Sequence, residues 1–274
     1  MSRDQDERHE ATRDGGRARY APTRRFSDRV EDYVRYRPDY PAGLIDYLVD
    51  EVGLEPGAVV ADLGSGTGLL ARPFLERGMV VYGVEPNEPM RSAGEHELVT
   101  FEVFHSVAGS AEDTGLPDAS VALATAGQSF HWFEPEPVRR ELIRILVPGG
   151  RAAIVWNVRR LDSTPFLAGY EALLERWAPE YEAVRSLYGA RDALEVLFGP
   201  AGWREACFEH EQRFEWEGLR GRVLSSSYTP PAGHPDRPGM LEDLRALFER
   251  HASRGEVRFE YDTHVYLGEP AAGA

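Results

Sequence analysis

The stretch that decides the fold is Ala58-Val59-Val60-Ala61-Asp62-Leu63-Gly64-Ser65-Gly66-Thr67-Gly68. Ala58 to Ala61 are small or apolar without a break, the pattern of a short strand covered on both faces. Gly64, Gly66 and Gly68 follow at alternate positions, where the backbone can turn tightly and a ligand can approach without meeting a Cβ. Leu69, Leu70, Phe74 and Leu75 then open a helical pattern, and the first turn of such a helix offers unpaired N–H groups. Strand, glycine turn and helix in that order predict a ligand pocket at the carboxyl end of the first strand of a parallel sheet.

The flanking sequence supplies the rest of that sheet. Met79 to Glu85 and Ser120 to Ala126 read as further strands, and Val99 to Val107 alternates as another between them. Pro135 to Leu146 is a helix with Val138, Leu142, Ile145 and Leu146 facing inward, and Gly149-Gly150 turns into a fifth strand, Ala152 to Trp156. The alternation of strand and helix with short connections predicts an α/β fold, a doubly wound, Rossmann-like sheet with helices on both faces. After Asn157 the pattern changes to helical and aromatic, with Phe166, Tyr170, Leu173, Leu174, Trp177, Tyr181, Leu187 and Tyr188. Glu205 to Trp216 and Val257 to Leu267 alternate as two late strands, with a helix from Met240 to Phe248 between them. The expected organisation is a polar, disordered tail over 1–20, a helical lid over 21–52 and a ligand-binding core over 53–157. A helical cap inserted over 158–200 follows, and then strands and helices over 201–268 that complete the sheet.

Composition removes whole classes of function. The 274 residues are 42% hydrophobic, enough for a packed core. One cysteine, Cys207, leaves no pair for a disulfide and no cluster for zinc or an iron–sulfur centre, so no metal is expected. No lysine occurs, which excludes a phosphate loop ending in Lys, a pyridoxal Schiff base and a lysine nucleophile. A formal charge of −15 disfavours a nucleic-acid partner. Acid excess without lysine fits a salt-rich cytoplasm or GC-rich codon usage equally. No run approaches a membrane span and no secretory apolar region is seen, so a cytoplasmic protein without a membrane partner, monomeric or homodimeric, is expected.

The pocket's own residues narrow its guest. Counting from Gly64, the third glycine of a dinucleotide fingerprint would fall at Leu69, so that pattern fits poorly. Asp62 stands before the first glycine, where a carboxylate would repel a pyrophosphate but suits an ammonium or sulfonium. Glu85 closes the next strand about 20 residues on, where a carboxylate can accept both ribose hydroxyls.

These segments resemble a known family. Ala61 to Gly68, with Gly83-Val84-Glu85-Pro86-Asn87, resembles the first motif and the acidic motif of class I S-adenosylmethionine-dependent methyltransferases. Gly109 to Asp113 with Leu116-Pro117 resembles the adenine-contacting segment, and Leu146 to Gly150 the turn before the fifth strand. Gln128-Ser129-Phe130-His131-Trp132-Phe133 resembles a signature of the methyltransferase type 11 small-molecule branch that includes trans-aconitate-type methyltransferases. The likeness is close over about 26–160 and loose beyond. It implies a seven-stranded, mostly parallel sheet with an antiparallel carboxyl-terminal edge hairpin, S-adenosyl-L-methionine as cofactor and a small-molecule methyl acceptor.

Carried over by position, the resemblance puts Gly64, Gly66 and Gly68 along the methionine part of the cofactor, with Asp62 orienting that end and Glu85 on the ribose. Asn87 and Met90 would lie along ribose and adenine, Ala111 and Glu112 at the adenine edge, and Gln128 beside the cofactor; Glu112 as a turn cap is the alternative. His131 is the candidate base, with a structural histidine shaping the pocket as the alternative. Arg37 is expected to pair with the methionine carboxylate or a substrate acid, or to form an exposed salt bridge. Tyr36 belongs to the cofactor set or to core packing. Tyr33, Trp132 and Trp156 are expected at the acceptor, and Arg159, Arg160 and Tyr228 are further candidates for a substrate anion. Methyl transfer from a sulfonium is an in-line displacement, for which positioning and exclusion of water supply most of the rate. O-methylation of a carboxylate or hydroxyl is favoured. The competing readings are a nicotinamide-type oxidoreductase or epimerase, against which Leu69 and Asp62 argue, and a non-catalytic cofactor-binding protein. Methylation of a base amine lacks the Asn-Pro-Pro-aromatic tetrapeptide and conflicts with the charge.

Overall fold

In the computed structural model, which describes residues 35–185 and 191–271, Val60 and Ala61 are both fully buried yet belong to different cores. Adjacent residues of a strand point to opposite faces, so both faces of the sheet are covered. The strands in chain order are β1 (Val59–Leu63), β2 (Val80–Val84), β3 (Phe104–Val107), β4 (Val121–Gly127), β5 (Leu146–Arg159), β6 (Arg204–Phe214) and β7 (Val257–Gly268). They form one seven-stranded sheet in the order β3-β2-β1-β4-β5-β7-β6. The first five are parallel, whereas β7 runs antiparallel to β5 and β6 antiparallel to β7. The sequence of strands reverses direction between β1 and β4, so a crevice opens at their carboxyl ends.

The helices are α1 (Ala42–Val52), α2 (Ala71–Leu75), α3 (Glu88–Glu97), α4 (Pro135–Ile145), α5 (Pro165–Trp177), α6 (Tyr181–Arg185), α7 (Arg191–Phe198), α8 (Trp216–Leu224) and α9 (Arg237–His251). Leu44, Ile45 and Leu48 of α1 pack with Val60, Val81, Val155 and Val265 on one face. Val138, Leu142 and Ile145 of α4 pack with Ala61, Ala124 and Ile154 on the other. A third cluster joins α5, α8 and α9 to Phe214, Phe259 and Tyr261 at the β6–β7 end.

The helical segment after β5 divides its contacts. Phe166, Tyr170 and Leu174 of α5 belong to the third cluster, while Leu194, Leu197 and Phe198 of α7 pack into the core beside α4. Three local differences from the sequence reading have plain causes. Val99 is 74% exposed on the turn that closes α3, so β3 starts only at Phe104. β5 begins at Leu146 and absorbs Gly149, at φ 80°, through a register shift against Val121 and Leu123. Helix α8 was hidden by its glycines: a Cβ on Gly221 would stand 2.0 Å from the Tyr36 ring, so the glycine is there for close packing. Among the described residues no helix is long and apolar enough to cross a membrane, and no group of three or more His, Cys, Asp or Glu could hold a metal ion.

Candidate active site

The glycine turn leaves β1 with Gly64, Gly66 and Gly68 at φ 65°, 55° and 82°, a region costly for any residue with a Cβ. A Cβ on Gly64 would lie 2.7 Å from the Cβ of Ser129, and one on Gly68 would lie 2.5 Å from Cδ1 of Leu98. Glu85 fastens the turn from the next strand: Gly66 N–H donates to its Oε2 at 2.9 Å, and Asn87 N–H donates to its Oε1 at 2.8 Å. Asn87 in turn caps α3, its Oδ1 accepting from Met90 N–H at 3.1 Å. The Ser129 hydroxyl donates to the Leu63 carbonyl at 2.8 Å and ties the loop after β4 to the end of β1.

Asp62 is 1% exposed at the end of β1. The Thr125 hydroxyl donates to its Oδ1 at 2.9 Å, and its Oδ2 is buried without a hydrogen-bond partner. Burial pushes its carboxyl up to about 7, the Thr125 bond opposing and the Glu85 charge adding to the effect. Burial also raises Glu85, against the backbone donors of Asn87 and Gly66 and the charge of Arg91. An orphaned carboxylate oxygen fits a cationic group such as the ammonium of S-adenosylmethionine. Each Glu85 oxygen keeps acceptor capacity beside its backbone donor, which fits ribose hydroxyls.

Glu85 is part of the wall of a narrow cavity of about 160 Å³. Gly64, Gly66, Asn87, Met90, Ala111, Glu112, Gln128 and Trp132 also line it, so the structure brings together most residues selected from the sequence. Glu112 Oε1 additionally accepts from Glu134 N–H at 3.0 Å. Ser110, Ser129 and Phe133 line it too; each lies within a motif quoted from the sequence but carries no assigned role there.

A second cavity of about 300 Å³ is lined by Arg37, Arg159, Arg185, Arg222, Tyr181, Tyr228 and Tyr261, together with Asn157 and Gln128. Gln128 therefore borders both spaces. It follows β4 at φ 54°, unusual for a residue with a side chain. Its Nε2 donates to the Asn157 carbonyl at 2.9 Å, while its Oε1 is buried without a partner.

Other selected residues lie elsewhere. His131 sits in a 3₁₀ turn, Phe130–Trp132, with its ring centroid 4.6 Å from that of Trp132, and lines neither cavity. Burial and the Arg37 charge push its imidazole down to about 3, so it is neutral at pH 7. Arg37 lines only the second cavity, its Nη2 donating to the Ser225 carbonyl at 3.0 Å. Tyr36 packs on Gly221. Trp156 is 1% exposed and packs on Phe130 and Tyr266, because β5 turns Asn157, not Trp156, toward the second cavity. Gly68 shapes the turn without lining the cavity. Arg160 pairs with Asp262 and Glu209 outside both spaces. Tyr33 lies outside the described residues.

The methyltransferase domain family matches residues 61–154, the span from the end of β1 to β5. An uncharacterized methyltransferase-like protein of Schizosaccharomyces pombe is 33% identical over 89% of this chain and 94% of its own length. An uncharacterized methyltransferase of the same yeast is 32% identical over 90% and 97%. A solved chain from Anaeromyxobacter dehalogenans, described as a type II methyltransferase, superposes with a TM-score of 0.65 at 27% identity, over 85% of this chain and 98% of that one. With Gly64, Gly66 and Glu85 lining the first cavity and Asp62 buried at the end of β1 without lining it, these likenesses show that the chain belongs to the class I S-adenosylmethionine-dependent methyltransferases.

Proposed function

We propose that the chain methylates a small-molecule acceptor at an oxygen, of a carboxylate or a hydroxyl, and that the acceptor occupies the second cavity. The observation that carries this reading is the position of Gln128, which lines both cavities and joins them through its bond to Asn157. A small acceptor, rather than a nucleic acid, agrees with the charge of −15.

S-adenosylmethionine supplies a methyl group already activated on a sulfonium, so transfer to an acceptor oxygen needs no covalent enzyme intermediate. The chain's residues then position and exclude. Asp62 offers Oδ2 to the ammonium, Glu85 offers its remaining lone pairs to the ribose, and Met90 and Ala111 supply apolar contact. Gln128 offers its unpartnered Oε1 at the junction of the two spaces. His131, neutral and displaced from both linings, acts in this reading as a brace for Trp132, which does line the cofactor cavity. A carboxylate nucleophile requires no base.

The test is incubation of the full chain with methyl-labelled S-adenosylmethionine and metabolite extracts, followed by mass spectrometry. A labelled product whose methyl is released by mild alkali supports a methyl ester, and an alkali-stable phenolic or alcoholic ether supports the hydroxyl route. Labelled amines alone would overturn O-methylation.

A further inference from the structure

We propose that Arg222 anchors a buried oxyanion subsite that holds a non-reacting carboxylate or phosphate group of the methyl acceptor. This rests on reading the first cavity as the methyl-donor site.

Arg222 projects from α8 and is only 7% exposed. Its Nη1 donates to the Ser226 hydroxyl at 3.1 Å, its Nε is buried without a hydrogen-bond partner, and no carboxylate among the described residues pairs with it. A guanidinium taken out of water without a counter-charge is costly, and the cost is recovered when an anion enters beside it. A second buried group nearby is also unsatisfied. The Tyr170 hydroxyl has no partner, and Tyr170, Tyr228 and Tyr261 are all close enough to act electrostatically on Arg222.

The second cavity has the matching sign. Arginines 37, 159, 185 and 222 line it, and among the described residues no Asp or Glu does. Glu171, which pairs with two of these arginines, is engaged by Arg159, Arg185 and the Tyr181 hydroxyl. In a chain of charge −15, a concave space walled by arginine and tyrosine selects an anion against the field of the rest of the surface. The planar guanidinium matches carboxylate and phosphate geometry alike.

This has a chemical consequence. An oxyanion whose lone pairs are held by a guanidinium is a poorer nucleophile than a free one. The group at Arg222 therefore stays unmethylated, and the reacting oxygen belongs to another part of the acceptor, toward Gln128. The acceptor is bifunctional, with one anion for recognition and one nucleophile for transfer.

The experiment is calorimetry on the full chain saturated with S-adenosylhomocysteine, titrated with benzoate, phenyl phosphate and the neutral isostere benzamide. At least one anion is expected to bind about tenfold or more tightly than benzamide, and the better of the two identifies the oxyanion. Arg222→Met should weaken that anion by about 30-fold or more, with S-adenosylhomocysteine affinity little changed and Arg222→Lys recovering part of the loss. Equal binding of benzamide, no anion binding at millimolar concentrations, or anion binding unaltered in a folded Arg222→Met would each overturn the proposal. If Arg222→Met fails to fold, the comparison of anion with amide on the unmutated chain decides alone. Failure of the unmutated chain to bind S-adenosylhomocysteine would strike the donor-site reading instead, and the anion series would then be run on the ligand-free chain.

Discussion

Gly66 and Glu85 are joined directly: the backbone N–H of the glycine donates to the carboxylate Oε2 at 2.9 Å, across 19 residues of sequence. The same carboxylate receives Asn87 N–H through its other oxygen. The turn after β1 and the loop after β2 are thus held as one piece by a side chain that also faces the cofactor cavity. Glu85 has two tasks, one in shaping the site before any ligand arrives and one in receiving it.

The double role predicts a double loss. Glu85→Ala removes the acceptor of two backbone donors and should weaken S-adenosylhomocysteine binding by about 30-fold or more while lowering thermal stability. Glu85→Gln, which can still accept from one donor, should fall between. Calorimetry and a thermal melt check both. An Ala variant with unchanged affinity would remove Glu85 from the ribose role.

Asp62 predicts a pH-dependent affinity. Burial holds its carboxyl at about 7 in the ligand-free chain, so it is mostly protonated at pH 6 and mostly ionised at pH 8. A cationic group beside Oδ2 favours the ionised form. Affinity for S-adenosylhomocysteine should therefore rise about tenfold from pH 6 to pH 8, with proton release on binding near pH 6. The ligand-free chain should show the reverse trend in stability. Because the folded pKa is raised above the ordinary value, burying Asp62 costs least below about pH 4, and this cost grows as pH rises toward 7. Asp62→Asn should abolish both slopes, as calorimetry in buffers of different ionisation enthalpy would reveal.

The cofactor side of the site was legible because charged residues at the ends of apolar strands stand out, as Asp62 and Glu85 do. The second cavity was legible only in part: Arg37, Arg159 and Tyr228 stand out as anion candidates, whereas Tyr181, Arg185 and Arg222 do not. Its walls come from Arg37, from Asn157 and Arg159 of β5, from Tyr181 of α6 and from Arg222 of α8, which no local period connects. Helix α8 carries Gly218 and Gly221, residues of low helix propensity, which serve close contact with Phe214 and Tyr36. The fifth strand shows a different limit. Ala152 to Trp156 are apolar throughout because both faces are covered, so the sequence alone does not tell whether Trp156 or Asn157 meets the acceptor space.

Gly68 makes a prediction about stability alone. It holds φ 82°, and an added Cβ would press on Leu98, which is itself 1% exposed. Gly68→Ala should cost about 2 kcal/mol or more, from the left-handed backbone and the crowding together. Urea denaturation checks it; Gly78→Ala is a control for the backbone cost alone, since at φ 80° its Cβ would make only an ordinary 3.5 Å contact with Pro56. Equal losses in the two variants would show that the Leu98 contact contributes nothing.

His131 separates a base from a brace by its titration. Burial, with the Arg37 charge, holds its folded pKa at about 3, below the ordinary value of 6.5. The unfolded chain then takes up a proton that the folded chain refuses, so His131 contributes stability above about pH 6.5 that is lost as pH falls. Between pH 6.5 and 4.5 the loss should approach about 2 kcal/mol, and the difference between the unmutated chain and His131→Ala should carry that slope. Its imidazole resonances should remain those of the neutral ring at pH 5. A catalytic base of such low pKa would leave no limb near pH 6 in a rate profile. A histidine resonance titrating near pH 6.5, with a matching limb in the rate that His131→Ala removes, would instead make His131 the base and put its ring within reach of the acceptor.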